Sequence, residues 1–143
     1  MMSDLVNLIL VIDPGSAKVG IGVVNRSGET LYRDVIPAGE LVATVVSINT
    51  RFKPDAIICG NGTRSADACS SLRAIDGLPP LSLIDEAHST EEARTLWLSE
   101  NPARGLKRLI PRSLRVPDGP VDAYVPQVLA ARYFGGASKT EGE

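Results

Sequence analysis

Apolar residues run almost without a break from Leu5 to Ile12, and Asp13-Pro14-Gly15 ends the run. A stretch that is apolar at successive positions predicts a strand covered on both faces. Val19 to Val24 predicts a second strand, in which Gly20 and Gly22 leave room for something to pack close to the backbone. Asn25-Arg26-Ser27-Gly28 reads as a hairpin turn, and Thr30 to Ile36 as a third strand nearer the sheet edge. The short connections make these three an antiparallel meander. The period then changes. From about Gly39 to Phe52, Leu41, Val42, Val45, Val46 and Ile48 recur at helical spacing, and Lys53-Pro54-Asp55 stops the helix.

Ala56 to Cys59 predicts a short buried fourth strand, followed by a loop at Gly60-Asn61-Gly62-Thr63. A helix is expected from Arg64 to Ile75, and a fifth strand from Leu81 to Ile84 that runs into Asp85-Glu86. Ser89 and Glu92 fit a capping box, with Ser89 as N-cap and Glu92 at the third helical position. Trp97 on that helix is expected in the core, and Asn101-Pro102 ends it. Residues 103–121 read as irregular and proline-broken. Val121 to Phe134 predicts a last helix, with Pro126 confined to its first turn and Asp122 at its start.

The order β-β-β-α-β-α-β-α-α implies an α/β fold. Three antiparallel strands followed by alternating helix and strand give a mixed five-stranded sheet with helices on both faces. Residues 1–134 are expected to form one domain, and GGASKTEGE at 135–143 a disordered tail.

Composition narrows the chemistry. The 143 residues include one histidine, His88, and two cysteines, Cys59 and Cys69, too few for a poly-His metal site, a zinc cluster or a disulfide framework. The cysteines fall in segments that look buried, which suits a reducing cytoplasm. No run approaches the ~20 apolar residues of a membrane span. A net charge of -2 carries no global basic signature. Carboxylates remain, 17 of them, some placed to hold a hard cation.

Asp13 directly follows the first strand, Asp85 and Glu86 the fifth, and Asp122 opens the last helix. If strands one and five are parallel, these acids meet at one sheet edge, where ligands of open α/β sheets bind. Converging carboxylates repel unless a divalent ion offsets them, and such an ion supports phosphoryl chemistry. Taken singly, each acid is equally a turn former or an N-cap. In Asp13-Pro14-Gly15-Ser16-Ala17-Lys18, Lys18 and nearby backbone N–H groups could meet a phosphate, or Lys18 could be a solvated hairpin residue.

DPGSAKVGIGVV, PDAIICGNGT, LIDEAHSTEEAR and PVDAYVPQVLAARYF, in this order over about residues 8 to 134, resemble the YqgF/RuvX family. That family is a branch of the RNase H-like nucleases related to the RuvC Holliday junction resolvases. The resemblance implies a metal-dependent nuclease hydrolysing phosphodiesters in structured nucleic acid, either Holliday junction DNA or precursor ribosomal RNA. It implies Mg²⁺ or Mn²⁺ as cofactor, with Asp13, Asp85, Glu86 and Asp122 as metal ligands. Asp13, Glu86 and Asp122 would be catalytic, and Asp85 or Glu86 the second acid. Lys18 and Asn61 would line the substrate side. Two departures stand out. The family's Asp-Glu-Arg is Asp85-Glu86-Ala87 here, with His88 next and available to a phosphate. The fourth strand ends in Cys59-Gly60-Asn61, without the glutamate resolvases carry.

Residues 99–121 hold Arg104, Lys107, Arg108, Arg112 and Arg115 against Glu100 and Asp118. A basic flap beside an acidic site suits phosphate binding, and a solvated loop with incidental charge is the plainer alternative. Symmetric cutting of a two-fold junction calls for a homodimer. A non-catalytic nucleic-acid-binding module on the same fold is the alternative function. A sugar-kinase or actin-like ATPase would need two domains, and this length supplies one.

Overall fold

The computed structural model describes residues 6–101, 109 and 121–141, with side chains of those up to 135. Its sheet has five strands in the order β3-β2-β1-β4-β5: β1 (Leu8–Pro14), β2 (Lys18–Asn25), β3 (Thr30–Pro37), β4 (Ala56–Gly60) and β5 (Leu81–Ile84). β1 pairs antiparallel with β2 and parallel with β4, and β4 pairs parallel with β5. The carboxyl ends of β1, β4 and β5 therefore share one edge of the sheet, as the mixed topology required.

The unbroken apolar run of β1 has its expected cause. Leu10 and Ile12 pack with Val45, Ile48, Cys69 and Leu72 of α1 (Leu41–Phe52) and α2 (Ser65–Arg73). Ile9 and Val11 pack on the opposite face with Ala93, Val128 and Leu129 of α3 (Ser89–Glu100) and α4 (Val125–Glu141). All four β1 residues are fully buried. Each such side chain contributes roughly 1.5–3 kcal/mol by leaving water, so β1 is the spine of both cores.

The alternation fixes which way the site residues point. Asp13 continues the Ile9, Val11 series and so lies on the α4 face. Its partner in β2 is Gly20, and Val11 pairs with Gly22. A Cβ on Gly20 would come within 3.2 Å of the Asp122 carbonyl oxygen, and one on Gly22 within 2.7 Å of Pro126 Cβ. The missing side chains let the start of α4 rest on the backbone of β2. This is the close packing the two glycines predicted.

Other local expectations are revised. Val42 and Val46 belong to the apolar periodicity of α1 but lie over 40% exposed, while Leu41, Val45 and Ile48 face the core. Lys53, left-handed at φ 52°, ends that helix just before Pro54. The capping box at Ser89 does not form. His88 occupies the N-cap position in a left-handed conformation with no side-chain cap, and the Glu92 carboxylate is drawn instead to Arg132. Trp97 is only half-buried and lies outside both core clusters. The last helix is preceded by a 3-10 turn at Val121–Tyr124, so Asp122 sits in that turn rather than in the α-helix itself. The α4 helix spans Val125–Glu141. Pro126 is its second residue, where a missing N–H costs nothing. Among the described residues no helix is long and apolar enough to cross a membrane.

Candidate metal centre

Three acids from distant parts of the chain act on one another at the sheet edge. The Asp13 carboxyl is pushed up to about 6 from an ordinary 3.8, first by burial, then by the negative charges of Glu86 and Asp122. A half-buried carboxylate in the field of two others resists ionisation, because burial and like charge both disfavour its charged form.

Glu86 reaches this position by strand parity. Ile84 belongs to the α3/α4 core cluster, so Glu86, two residues on, extends along the same face. Its carboxylate lies directly over Gly60 and Gly62, closer to them than any added side chain would permit. Glu86 Oε1 is buried and has no hydrogen-bond partner among the described residues. An orphaned carboxylate oxygen in a bare glycine cradle costs free energy unless a cation or water meets it. Asp85 points its chemistry elsewhere: its Oδ1 accepts the Ala87 N–H at 3.0 Å, closing the turn into α3. Which of the two acids faces Gly60 follows from how β5 lies on β4.

The third acid, Asp122, rides on the 3-10 turn that Gly20 admits. Arg33 of β3 braces this turn, with its guanidinium 4.0 Å over the Tyr124 ring and its Nη2 donating to Gln127 Oε1 at 2.6 Å. Arg33 carries no signal of this role in the sequence beyond its place opposite Gly22.

A hollow of about 350 Å³ opens beside these acids, lined by Asp13, Lys18, Gly20 and Asp122 together with the 14–17 loop. Lys18 is exposed at its rim, and the loop is closed by a hydrogen bond from the Gly15 N–H to the Lys18 carbonyl, 2.8 Å. A second hollow, about 320 Å³, lies across that loop and is lined by Arg64, Asp67 and Ser71.

Two predicted substrate contacts have other partners. Asn61 Oδ1 accepts the Glu86 N–H at 3.2 Å, so its carboxamide braces the acid. His88 lies exposed, with Nδ1 3.5 Å from Glu91 Oε1. Arg104, Lys107, Arg108, Arg112 and Arg115 lie outside the described residues.

Among the described residues no group of three or more His, Cys, Asp or Glu side chains is drawn together tightly enough to enclose a metal ion as it stands. In chemical type the three side chains are oxygen donors of the kind a hard cation takes, with Glu86 Oε1 lacking a hydrogen-bond partner among the described residues. Asp13, Glu86 and Asp122 are the residues that would hold it.

No protein-family model matches the chain, and no curated protein does so. Solved structures do. Thermus thermophilus RuvC is similar at a TM-score of 0.54 and 17% identity, over 88% of this chain and 94% of that one. T. thermophilus RuvC in complex with Holliday junction substrate is similar at a TM-score of 0.57 and 18% identity, over 94% and 97%. At such identity the likeness is one of architecture, and together with the mixed sheet it establishes that this chain has an RNase H-like fold.

Proposed function

We propose that this chain is a divalent-metal-dependent nuclease of the YqgF/RuvX kind, hydrolysing phosphodiesters in branched DNA. The observation that carries the reading is the buried Glu86 Oε1, unpartnered among the described residues, in a carboxylate that together with Asp122 acts on Asp13 at the edge where β1, β4 and β5 end. Mg²⁺ or Mn²⁺ held there would supply Lewis-acid activation and charge neutralisation at the scissile phosphate. The chain's own residues divide the remaining work. Asp13 is the central ligand, flanked by Glu86 and Asp122. Lys18, at the rim of the same hollow, meets a phosphate of the substrate backbone. The basic segment holding Arg104, Lys107, Arg108, Arg112 and Arg115 leads directly into Asp122 and adds phosphate contacts.

Branched DNA is favoured over precursor ribosomal RNA because a solved neighbour of this fold is in complex with Holliday junction substrate. A cleavage panel tests the reading: four-way junction, duplex DNA and precursor ribosomal RNA, each with Mg²⁺, Mn²⁺ or EDTA. Junction cutting that needs the ion and is abolished by Asp13→Asn is the expected result. RNA cut in preference to the junction would transfer the assignment to ribosomal RNA processing. Junction binding in EDTA with no cutting in either ion would replace it with a non-catalytic binding module.

A further inference from the structure

The peptide that joins Asp85 to Glu86 is gripped on both edges. Its N–H, that of Glu86, donates to Asn61 Oδ1 at 3.2 Å. Its carbonyl, that of Asp85, accepts from Arg132 Nη1 at 2.9 Å. The other terminal nitrogen of Arg132 donates to Glu92 Oε2 at 2.6 Å, and the arginine side chain is only 23% exposed. One residue on, the Glu86 carbonyl accepts the Ser89 N–H at 3.0 Å. A peptide plane fixed at both its donor and its acceptor sets the direction in which the next side chain leaves the backbone.

We propose that Arg132 is a positioning residue for Glu86. By holding the 85–86 peptide it keeps the Glu86 carboxylate laid over Gly60 and Gly62, facing Asp13. Arg132 stands on α4, the helix that follows the turn carrying Asp122. The second and third acids are thus tied to one helix, and a shift of α4 would disturb both. A guanidinium suits this task because its planar fork holds the Asp85 carbonyl in a fixed direction, which a rotating lysine ammonium does not. The inference rests on the reading of Asp13, Glu86 and Asp122 as cation ligands.

Mn²⁺ binding to the full chain, read from the spin-resonance signal of the free ion, tests it without reference to cleavage. Arg132→Ala is expected to weaken Mn²⁺ binding by about tenfold or more, the usual cost of losing a group that orients a ligand. Arg132→Lys should recover only part of that loss. Glu92→Gln keeps the bond to the Asp85 carbonyl, and should lower the melting temperature while leaving Mn²⁺ affinity within about twofold. Wild-type affinity in Arg132→Ala would overturn the proposal, as would a loss in Glu92→Gln equal to that in Arg132→Ala. If Arg132→Ala fails to fold, Arg132→Lys decides alone, unchanged affinity overturning the proposal. Glu86→Gln separates the two readings. If it loses Mn²⁺ while Arg132→Ala does not, the metal centre stands and only the positioning role falls. If the wild type does not bind Mn²⁺, both fall.

Discussion

The Glu86 carboxylate lies against the bare backbone of Gly60, in the space a β-carbon would fill. An acid from the segment just after β5 thus occupies the end of β4, a strand whose own terminal residues carry no carboxylate. The pairing makes Gly60 as necessary to the site as the acid.

Gly60→Ala should therefore act on the site more than on the fold. The new methyl group displaces the carboxylate, and Mn²⁺ affinity should fall at least tenfold, as for other disrupted ligand supports. Overpacking costs about 1–3 kcal/mol, which denaturant titration measures, and the far-ultraviolet circular dichroism should be unchanged.

The raised Asp13 carboxyl predicts a pH dependence with a definite sign. Between 3.8 and about 6 the folded state binds more protons there than the unfolded state. This contribution to stability is full below 3.8 and is lost as pH rises through about 6, amounting to about 3 kcal/mol. Asp13→Asn should remove that slope and be more stable than the wild type at pH 7. Adding Mn²⁺ should restore wild-type stability at pH 7 and leave Asp13→Asn nearly unaffected. Urea titrations of both proteins across this range, with and without the ion, provide the check.

Gly22 and Gly28 should separate packing from turn strain. Gly22→Ala places a methyl group 2.7 Å from Pro126 Cβ and pushes the start of α4 away from β2. It should destabilise by about 1–3 kcal/mol and weaken Mn²⁺ binding through Asp122. Gly28→Ala meets no atom within 4 Å but forces alanine to φ +94° in the β2–β3 turn. It should cost about 1 kcal/mol with Mn²⁺ affinity intact.

The cysteines should be inert in the folded protein. Cys59 and Cys69 are free and buried, and burial, with Cys69 adjacent, pushes the Cys59 thiol up. Because both thiols are buried out of the reagent's reach, Ellman's reagent at pH 8 should titrate neither in the native state. It should titrate both in guanidinium.

The strand pattern made five strands and their succession along the chain readable, because Leu8–Ile12 and Ala56–Cys59 are apolar throughout while Asp-Pro-Gly, Lys-Pro-Asp and similar breaks punctuate them. The same uniformity hid the facing of β1. A strand buried on both sides carries no alternation, so only the packing of Leu10 and Ile12 against one helix pair, and of Ile9 and Val11 against the other, assigns Asp13 to a side. The three acids were visible by their places at element ends. The choice between Asp85 and Glu86 needed the register of β5 on β4. Asn61 was legible as a residue beside the site but not as a brace of Glu86, and Arg132 carried no local signal, because its partners are 40 and 47 positions away. The capping box at Ser89 failed for the same reason: Glu92 has the right spacing, but a guanidinium on another helix outbids a backbone N–H.

The closing turn and α4 have a consequence for the order in which the molecule is built. The meander of β1, β2 and β3 needs only short loop closures and can form early, carrying Asp13 with it. Parallel pairing of β4 and β5 must close longer loops, and α4 docks on the backbone of Gly20 and Gly22 only after the strand that bears them is in place. Asp122 therefore reaches the sheet edge only with the turn and helix that rest on Gly20 and Gly22. A chain emerging from the ribosome carries Asp13, Glu86 and Asp122 in separate pieces until the turn at Val121–Tyr124 and α4, which hold Asp122 and Arg132, have been made.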